Sequence, residues 1–316
     1  MIGLGASDSE FDFIRWIRAL PGTAPGDLVV GPGDDCAVAR IGDDHWLFKV
    51  DSVLEGTHFQ RSDPAAPGYA TSRQVGQKAM LRALSDIAAM GGWPRFALIG
   101  LALPQAAGAE LRESLTLGLR ESAAVFDVAV VGGDSKSWSS DRLAVCVSLI
   151  GEMRGRIPVL RSGGKPGDHL YVTGPLGGSL LGRHLQPIPR LAEGQWLATA
   201  GAHALIDLSD GLSSDLHHLC RESRCGAHVH AQQVPIHADA RTLAATSGRT
   251  PLAHALHDGE DYELLVAIPP TLPLPELAAT WTRIGELTPA PQVWLADGDD
   301  LHPLAAGGYE HRYGDS

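Results

Sequence analysis

Apolar positions in this chain follow two rhythms. Over residues 7–20 they recur at helical spacing. Phe13, Ile14, Ile17 and Leu20 share one face, Ser7 and Glu10 fit a capping box, and Pro21-Gly22 stops the run. Beyond it, short continuous apolar runs alternate with longer amphipathic ones. The runs at 46–50, 96–103, 128–131 and 143–150 predict strands, and 72–90 and 110–126 predict helices. Residues 152–168 are rich in Gly, Pro and charge and follow no period, which sets a domain junction there: residues 1–152 form one domain and 153–316 another. In the second, strands are expected at 169–173, 204–206 and 263–268, with helices near 190–200 and 213–220. The segment from Leu295 onward is rich in Gly and Asp and reads as loops. Strands alternating with helices in both halves indicate an α/β fold.

Composition narrows the function. A chain of 316 residues, 44% hydrophobic and 20% charged, is neither disordered nor too short for two cores. Its net charge of −12 makes it a poor generic partner for nucleic acid or an anionic membrane. If it handles a polyanion, positive charge must come from elsewhere, and bound metal is the obvious source. Acidic residues stand where a signal peptide needs basic ones, and the longest apolar stretch, 96–109, is too short to span a bilayer. Four cysteines (Cys36, Cys146, Cys220 and Cys225) are too sparse for a disulfide scaffold. A cytoplasmic protein is expected.

The chemistry lies where the aspartates fall. Four times a short apolar run leads into aspartate: Val29-Val30 to Asp34-Asp35 through a Gly-Pro-Gly turn, 47–50 to Asp51, 128–131 to Asp134 through Gly132-Gly133, and 204–206 to Asp207 and Asp210. Strand ends are where α/β folds bind ligands, and carboxylates gathered there repel one another unless a cation intervenes. Oxygen-only ligands suit Mg²⁺ or Mn²⁺. Taken singly, each motif is also explained by turn and N-cap preferences, and Ser209 or Asp210 can simply cap the helix that follows. Asp86 sits near the end of an apolar helix, where the dipole disfavours an anion; it is either an i,i+4 partner of Arg82 or a metal ligand. His58 follows Asp51 by seven residues, and 258–263 is a tight acidic turn entering an apolar strand. P-loop, dinucleotide-binding and nucleophile-elbow motifs are absent. Cys220, Cys225 and the histidines at 217, 218, 228 and 230 do not match zinc-ligand spacing.

In order along the chain, Gly33-Asp34-Asp35, Asp51 with Glu55-Gly56-Thr57-His58-Phe59, Leu84-Ser85-Asp86-Ile87-Ala88-Ala89-Met90-Gly91, Gly132-Gly133-Asp134, the segment 161–168, Ile206-Asp207-Leu208-Ser209-Asp210-Gly211-Leu212 and Gly259-Glu260-Asp261-Tyr262-Glu263-Leu264 resemble the motif series of thiamine-monophosphate kinases, over nearly the whole chain. The resemblance implies a two-domain, aminoimidazole ribonucleotide synthetase-like α/β fold. Residues 1–152 would bind ATP and Mg²⁺ and form a homodimer, with ATP near the interface; 153–316 would complete the active site. It implies in-line transfer of the γ-phosphoryl of ATP to thiamine monophosphate, giving thiamine diphosphate, with several Mg²⁺ ions and no covalent or acid–base side chain. By motif, Asp35, Asp51, Asp86, Asp134, Asp207 and Asp210 would be metal ligands. Gly133, Asp134, Arg161 and Ser209 would contact ATP, and His58 and Glu260 the thiamine phosphate. Such roles agree with phosphoryl transfer, which needs positioning and neutralised charge.

The sequence departs from the family pattern in two places. Lys49 and Val50 stand where small hydroxyl residues often precede the second aspartate motif, which removes any hydroxyl contact to metal there. Ala306 stands where a Trp often packs on the thiamine, leaving Tyr309 or Tyr313 to offer an aromatic face. Related selenophosphate synthetases use an N-terminal Cys or selenocysteine and hydrogenase-maturation relatives a C-terminal Cys, and neither pattern appears here. The remaining alternatives are a nucleotide-binding regulator without turnover, and a synthetase or kinase of the same superfamily acting on another phosphorylated small molecule.

Overall fold

The helical spacing of the first apolar run is realised as α1 (Glu10–Ala19) in a computed structural model that describes residues 10–20, 25–66 and 68–311. Ser7, Pro21-Gly22 and Tyr313 lie outside these residues. Six strands follow: β1 (Leu28–Val30), β2 (Ala37–Ile41), β3 (Asp44–Leu54), β4 (Trp93–Pro104), β5 (Ala129–Trp138) and β6 (Ala144–Glu152). They form one sheet in the order β1-β2-β3-β6-β4-β5, in which only β4 and β5 run parallel. β3 and β5 extend well past the apolar runs that announce them. Their continuations carry polar side chains on one face or in a cleft, which an apolar-run criterion does not register.

Two helices, α2 (Ser72–Ala89) and α3 (Ala109–Val125), connect these strands. Thr71 and Gln74 close a reciprocal capping box that starts α2. α2 and α3 touch backbone to backbone: a Cβ on Gly76 would stand 2.3 Å from the Leu115 carbonyl oxygen, and one on Gly118 2.0 Å from that of Arg73. Only glycine permits this approach. Thirteen of the 18 residues of α2 are buried, including Lys78, Ser85 and Asp86. A helix buried on nearly every side must satisfy such polar groups from neighbouring elements.

The second half contains α4 (Leu191–Ala200), α5 (Leu212–Ser223), α6 (Ala238–Ser247) and α7 (Pro251–His257) with seven strands: β7 (His169–Val172), β8 (Ala204–Asp207), β9 (Gly226–His230), β10 (Leu264–Ile268), β11 (Thr282–Thr288), β12 (Val293–Asp297) and β13 (Asp300–Pro303). The sheet order is β13-β12-β9-β11-β7-β10-β8, with only β12 and β9 parallel. The segment expected to be loops after Leu295 is instead the hairpin β12–β13. Gly298-Asp299 supplies its two-residue turn, with Gly298 at φ 62°, and Gly-Asp between short strands is itself a hairpin signal. One hydrophobic core crosses from the first half into the second. It runs from Leu47, Ile87 and Val147 through Leu197 to Leu205, Val266 and Trp281, while a smaller core lies wholly in the second half.

Candidate functional site

Residues of both halves line a cavity of about 620 Å³. Asp86 and Asp207 line it, and with the adjoining Asp35, all three buried, they bring one carboxylate oxygen each within 4.8 Å of the others. They are the sole grouping of three or more potential metal-ligating side chains this close among the described residues. Asp35 follows β1 in the turn to β2, Asp86 comes from α2, and Asp207 is the last residue of β8. Each is held by a different donor. Arg161 grips Asp35 with Nη2 at 2.5 Å and Nε at 3.2 Å. The Lys49 ammonium stands 2.6 Å from Asp86 Oδ1, and the Ser85 hydroxyl donates to Asp207 Oδ2 at 2.7 Å. Asp34 turns back to accept the backbone N–H groups of Asp35 and Arg161, at 3.0 and 3.2 Å.

These cations do not neutralise the cluster. Burial, then repulsion from Asp35, raises Asp34 to about 7 despite Arg161. The same two causes raise Asp207 to about 6. Burial lifts Asp86 well above the usual carboxylate range, beyond what Lys49 offsets. Nearby, Asp215 is raised by burial and by Asp210. Crowded, buried, oxygen-only donors that resist ionisation together form a site a hard divalent cation fits.

The strand-end reading needs correction. Asp51 lies within β3, and Asp134 within β5. Strand alternation decides where they point. Leu47, Lys49, Asp51 and Val53 share the face of β3 toward α2, whereas Phe48, Val50, Ser52 and Leu54 face the other way. Asp51 therefore meets α2, where Arg82 Nε lies 3.0 Å from its Oδ2. Asp86 is not the i,i+4 partner of Arg82: it pairs with Lys49, and Arg82 spans Asp51 and Glu260. Asp134 is in register with Gly100, Cys146 and Ser52, on the opposite face. It is largely exposed, paired with Lys136 at 2.9 Å, and with Gly133 lines a separate shallow hollow beside Ile99 and Val130. Gly133 also has a packing role, since a Cβ there would stand 2.0 Å from the Ile99 carbonyl oxygen.

Ser209 and Asp210 both line the main cavity. Neither caps α5. Its N-cap is Gly211, without a side-chain bond, and Asp215 Oδ2 accepts the N–H groups of Asp210 and Gly211, each at 3.1 Å. His58 lines the cavity and accepts the Leu54 N–H at Nδ1 (3.1 Å). Burial and Arg82 lower it to about 4, so the ring is neutral at pH 7 with its proton on Nε2. Glu260 is bound by the ammonium of Lys78, which also donates to the His58 carbonyl at 2.8 Å. Tyr309 stands edge-on to His311 at 4.9 Å, and His311 lines the cavity 5.8 Å from the His58 ring. Sequence reasoning missed Lys78, Ser85 and the placement of Lys49 and Arg82. A signal existed on α2: from Lys78 onward the helix is apolar except for Ser85 and for Lys78, Arg82 and Asp86, which recur every four residues along one face.

Comparison with known proteins gives a consistent picture. Residues 33–153 match the family model for AIR synthase related protein, N-terminal domain. The chain is 37% identical over 298 residues to the thiamine-monophosphate kinase of Rhodopirellula baltica, covering 90% of this chain and 91% of that one. It is 33% identical to the thiamine-monophosphate kinase of Escherichia coli K12, covering 90% and 92%. A solved structure of AaThiL complexed with AMPPCP and TMP superposes with a TM-score of 0.81 at 28% identity, covering 96% of this chain and 97% of that one.

Proposed function

This chain belongs to the thiamine-monophosphate kinase family, and on that premise we propose that the carboxylate-lined cavity is where phosphoryl transfer takes place. The protein is an enzyme that uses ATP to phosphorylate thiamine monophosphate to thiamine diphosphate. The observation that carries the assignment to this cavity is the buried triad of Asp35, Asp86 and Asp207, crowded to within 4.8 Å and short of counter-charge.

We read the triad, extended by Asp51 and Asp210, as the holder of Mg²⁺ or Mn²⁺. When bound, such ions supply the neutralisation that lets two phosphate esters approach. The chain's own residues do the rest. Arg161, while holding Asp35 through Nε and Nη2, offers its remaining guanidinium N–H groups to the phosphates of ATP. Ser209 and Asp210 shape the cavity wall ahead of α5. His58 presents Nε2–H to the acceptor phosphate, while Glu260, fixed by Lys78 and Arg82, sets the wall behind it. No side chain need form a covalent intermediate, because loose phosphoryl transfer depends on in-line positioning. The test is ADP release with and without thiamine monophosphate. It is expected only with the acceptor and a divalent ion present; full activity in excess chelator overturns the reading.

We propose further that the enzyme is a homodimer joined through the first sheet. One face of that sheet is covered by α2 and α3, while the other exposes Phe48, Val50, Leu54, Leu98, Val131 and Trp138. Sheet faces of this kind are ordinarily covered. Gly133 and Asp134 lie on β5 of the same sheet, so contacts of theirs with ATP and metal would be made at the subunit boundary. Light scattering is expected to give twice 33.4 kDa, and a monomer at micromolar concentration counts against the dimer. We assign the enzyme to the cytoplasm, where ATP is available; no described helix is long and apolar enough to cross a membrane.

A further inference from the structure

The phosphoryl-transfer reading gives Lys49 no task, yet its ammonium stands inside the carboxylate cage. Its Nζ lies 2.6 Å from Asp86 Oδ1, with the Lys49 side chain 23% and the Asp86 side chain 10% exposed. The placement is set by the backbone. Lys49 and Asp51 are two residues apart on β3, so strand alternation aims both at α2, where Asp86 and Arg82 are four residues apart and again on one face. Of the three triad carboxylates, Asp35 is gripped by a guanidinium, Asp207 by a neutral hydroxyl and Asp86 by an ammonium.

An ammonium is a compact point charge with three donors on a flexible stem. At an oxygen it serves much as a small cation does, and the two exclude each other. Mg²⁺ binds carboxylate oxygen at about 2.0–2.1 Å and tolerates little distortion. An ion coordinated to Asp86 Oδ1 must therefore displace Lys49, or leave that oxygen to it. The aliphatic stem of Lys49 fills space in the same wall, so displacement also requires somewhere for it to go.

We propose that Lys49 is a resident cation of the cage, holding Asp86 Oδ1 in place of one divalent ion. The native site then fills with one ion fewer than the same cage without the lysine. A tethered charge does not dissociate when free Mg²⁺ falls, so part of the neutralisation is built into the chain. Lys49 is a positioning residue here: it acts on the transferred group through Asp86 and the ions beside it. The inference rests on the reading of the triad as a divalent-cation site.

The test counts ions directly. Full-length native enzyme and the variants Lys49→Ala, Lys49→Ser and Lys49→Arg are titrated with Mn²⁺ in the presence of AMPPCP, and free Mn²⁺ is read from its electron paramagnetic resonance signal. Lys49→Ala and Lys49→Ser are expected to bind one more Mn²⁺ per chain than native enzyme, and Lys49→Arg the native number. Free Mg²⁺ for half-maximal activity should rise about 10- to 100-fold in the first two, the range seen when a group that tunes a metal site is removed. If Lys49→Ala folds poorly, Lys49→Ser carries the count, and its melting temperature should climb more with Mn²⁺ than that of native enzyme. Equal counts in native enzyme and Lys49→Ser overturn the role of Lys49 while leaving the metal site standing. No Mn²⁺ bound by native enzyme beyond that carried by AMPPCP alone overturns the metal site, and this inference with it.

Discussion

Two buried acidic clusters meet at α2, and they are neutralised differently. In the acidic turn, Glu260, Asp261 and Glu263 face four cations: Lys78, Arg82, Arg183 and Arg190. Although burial opposes it, Lys78 and then Arg82 hold Glu260 below the usual carboxylate range. In the cage, Asp34, Asp35, Asp86 and Asp207 face two, Lys49 and Arg161, and Asp34, Asp86 and Asp207 are all pushed upward. The turn is dense in acid along the sequence, whereas the cage gathers its carboxylates from three distant segments. What separates a structural clamp from a cation-binding cage is the supply of counter-charge from elsewhere in the fold. The clamp is complete in the protein alone, whereas the cage is completed by a ligand.

The comparison breaks most readily at Glu260. Glu260→Ala leaves the fully buried Lys78 ammonium without its carboxylate. Breaking a buried pair by removing one partner costs about 3–5 kcal/mol, so chemical denaturation should register a loss of that order. Adding Lys78→Met should recover much of it. A loss below about 1 kcal/mol would mean that the clamp is not structural.

The cage should respond the opposite way. Asp207→Asn is expected to lower turnover by about 10²–10³-fold, as removal of one electrostatic stabiliser does in other active sites. The metal-free protein should melt at the same temperature or higher, because a crowded like charge is gone. Turnover assays and melting curves on one preparation read both effects, and a cage variant that unfolds while keeping its activity would erase the distinction.

Asp261 sharpens the contrast within the turn. Burial raises it to about 7, against Arg183 and the Gly177 N–H that favour its charge. The folded protein therefore keeps a proton that the unfolded chain has lost, and stability falls as pH rises between about 4 and 7. From about pH 5 to pH 7 this amounts to roughly 2 kcal/mol at most. Asp261→Asn should flatten that part of the profile in denaturation curves taken across the range. An unchanged slope would show that Asp261 is ionised throughout, like its neighbour Glu260.

The smallest effects separate the two substrates. Arg161→Ala should raise KM for ATP about tenfold, in line with loss of a charged hydrogen bond, and change KM for thiamine monophosphate less. His58→Ala should do the reverse, at about fivefold, because the ring is neutral. Initial-rate kinetics with each substrate varied in turn decide this. Equal effects on both substrates from either variant would remove the division of roles.

Much of the molecule was legible in the chain. Alternation of apolar runs marked the α/β class and the long helices, because burial imposes a period on sequence whatever the final packing. The motif series led to the family, and five of the six proposed metal aspartates line or adjoin one cavity. The hairpin after Leu295 was missed because its strands are short and its evidence was the Gly298-Asp299 turn alone. The partners were not legible at all. Nothing near Asp86 in sequence says that it meets Lys49, 37 residues away, rather than Arg82 one turn back. Nothing near Glu260 points to Lys78, 182 residues away. That Asp51 and Asp134 face opposite sides of one sheet depends on register across β6 and β4. Local composition fixes which residues can ionise, but charge acts through space, and only the tertiary structure decides which charges share a dry cavity and which of them go unneutralised.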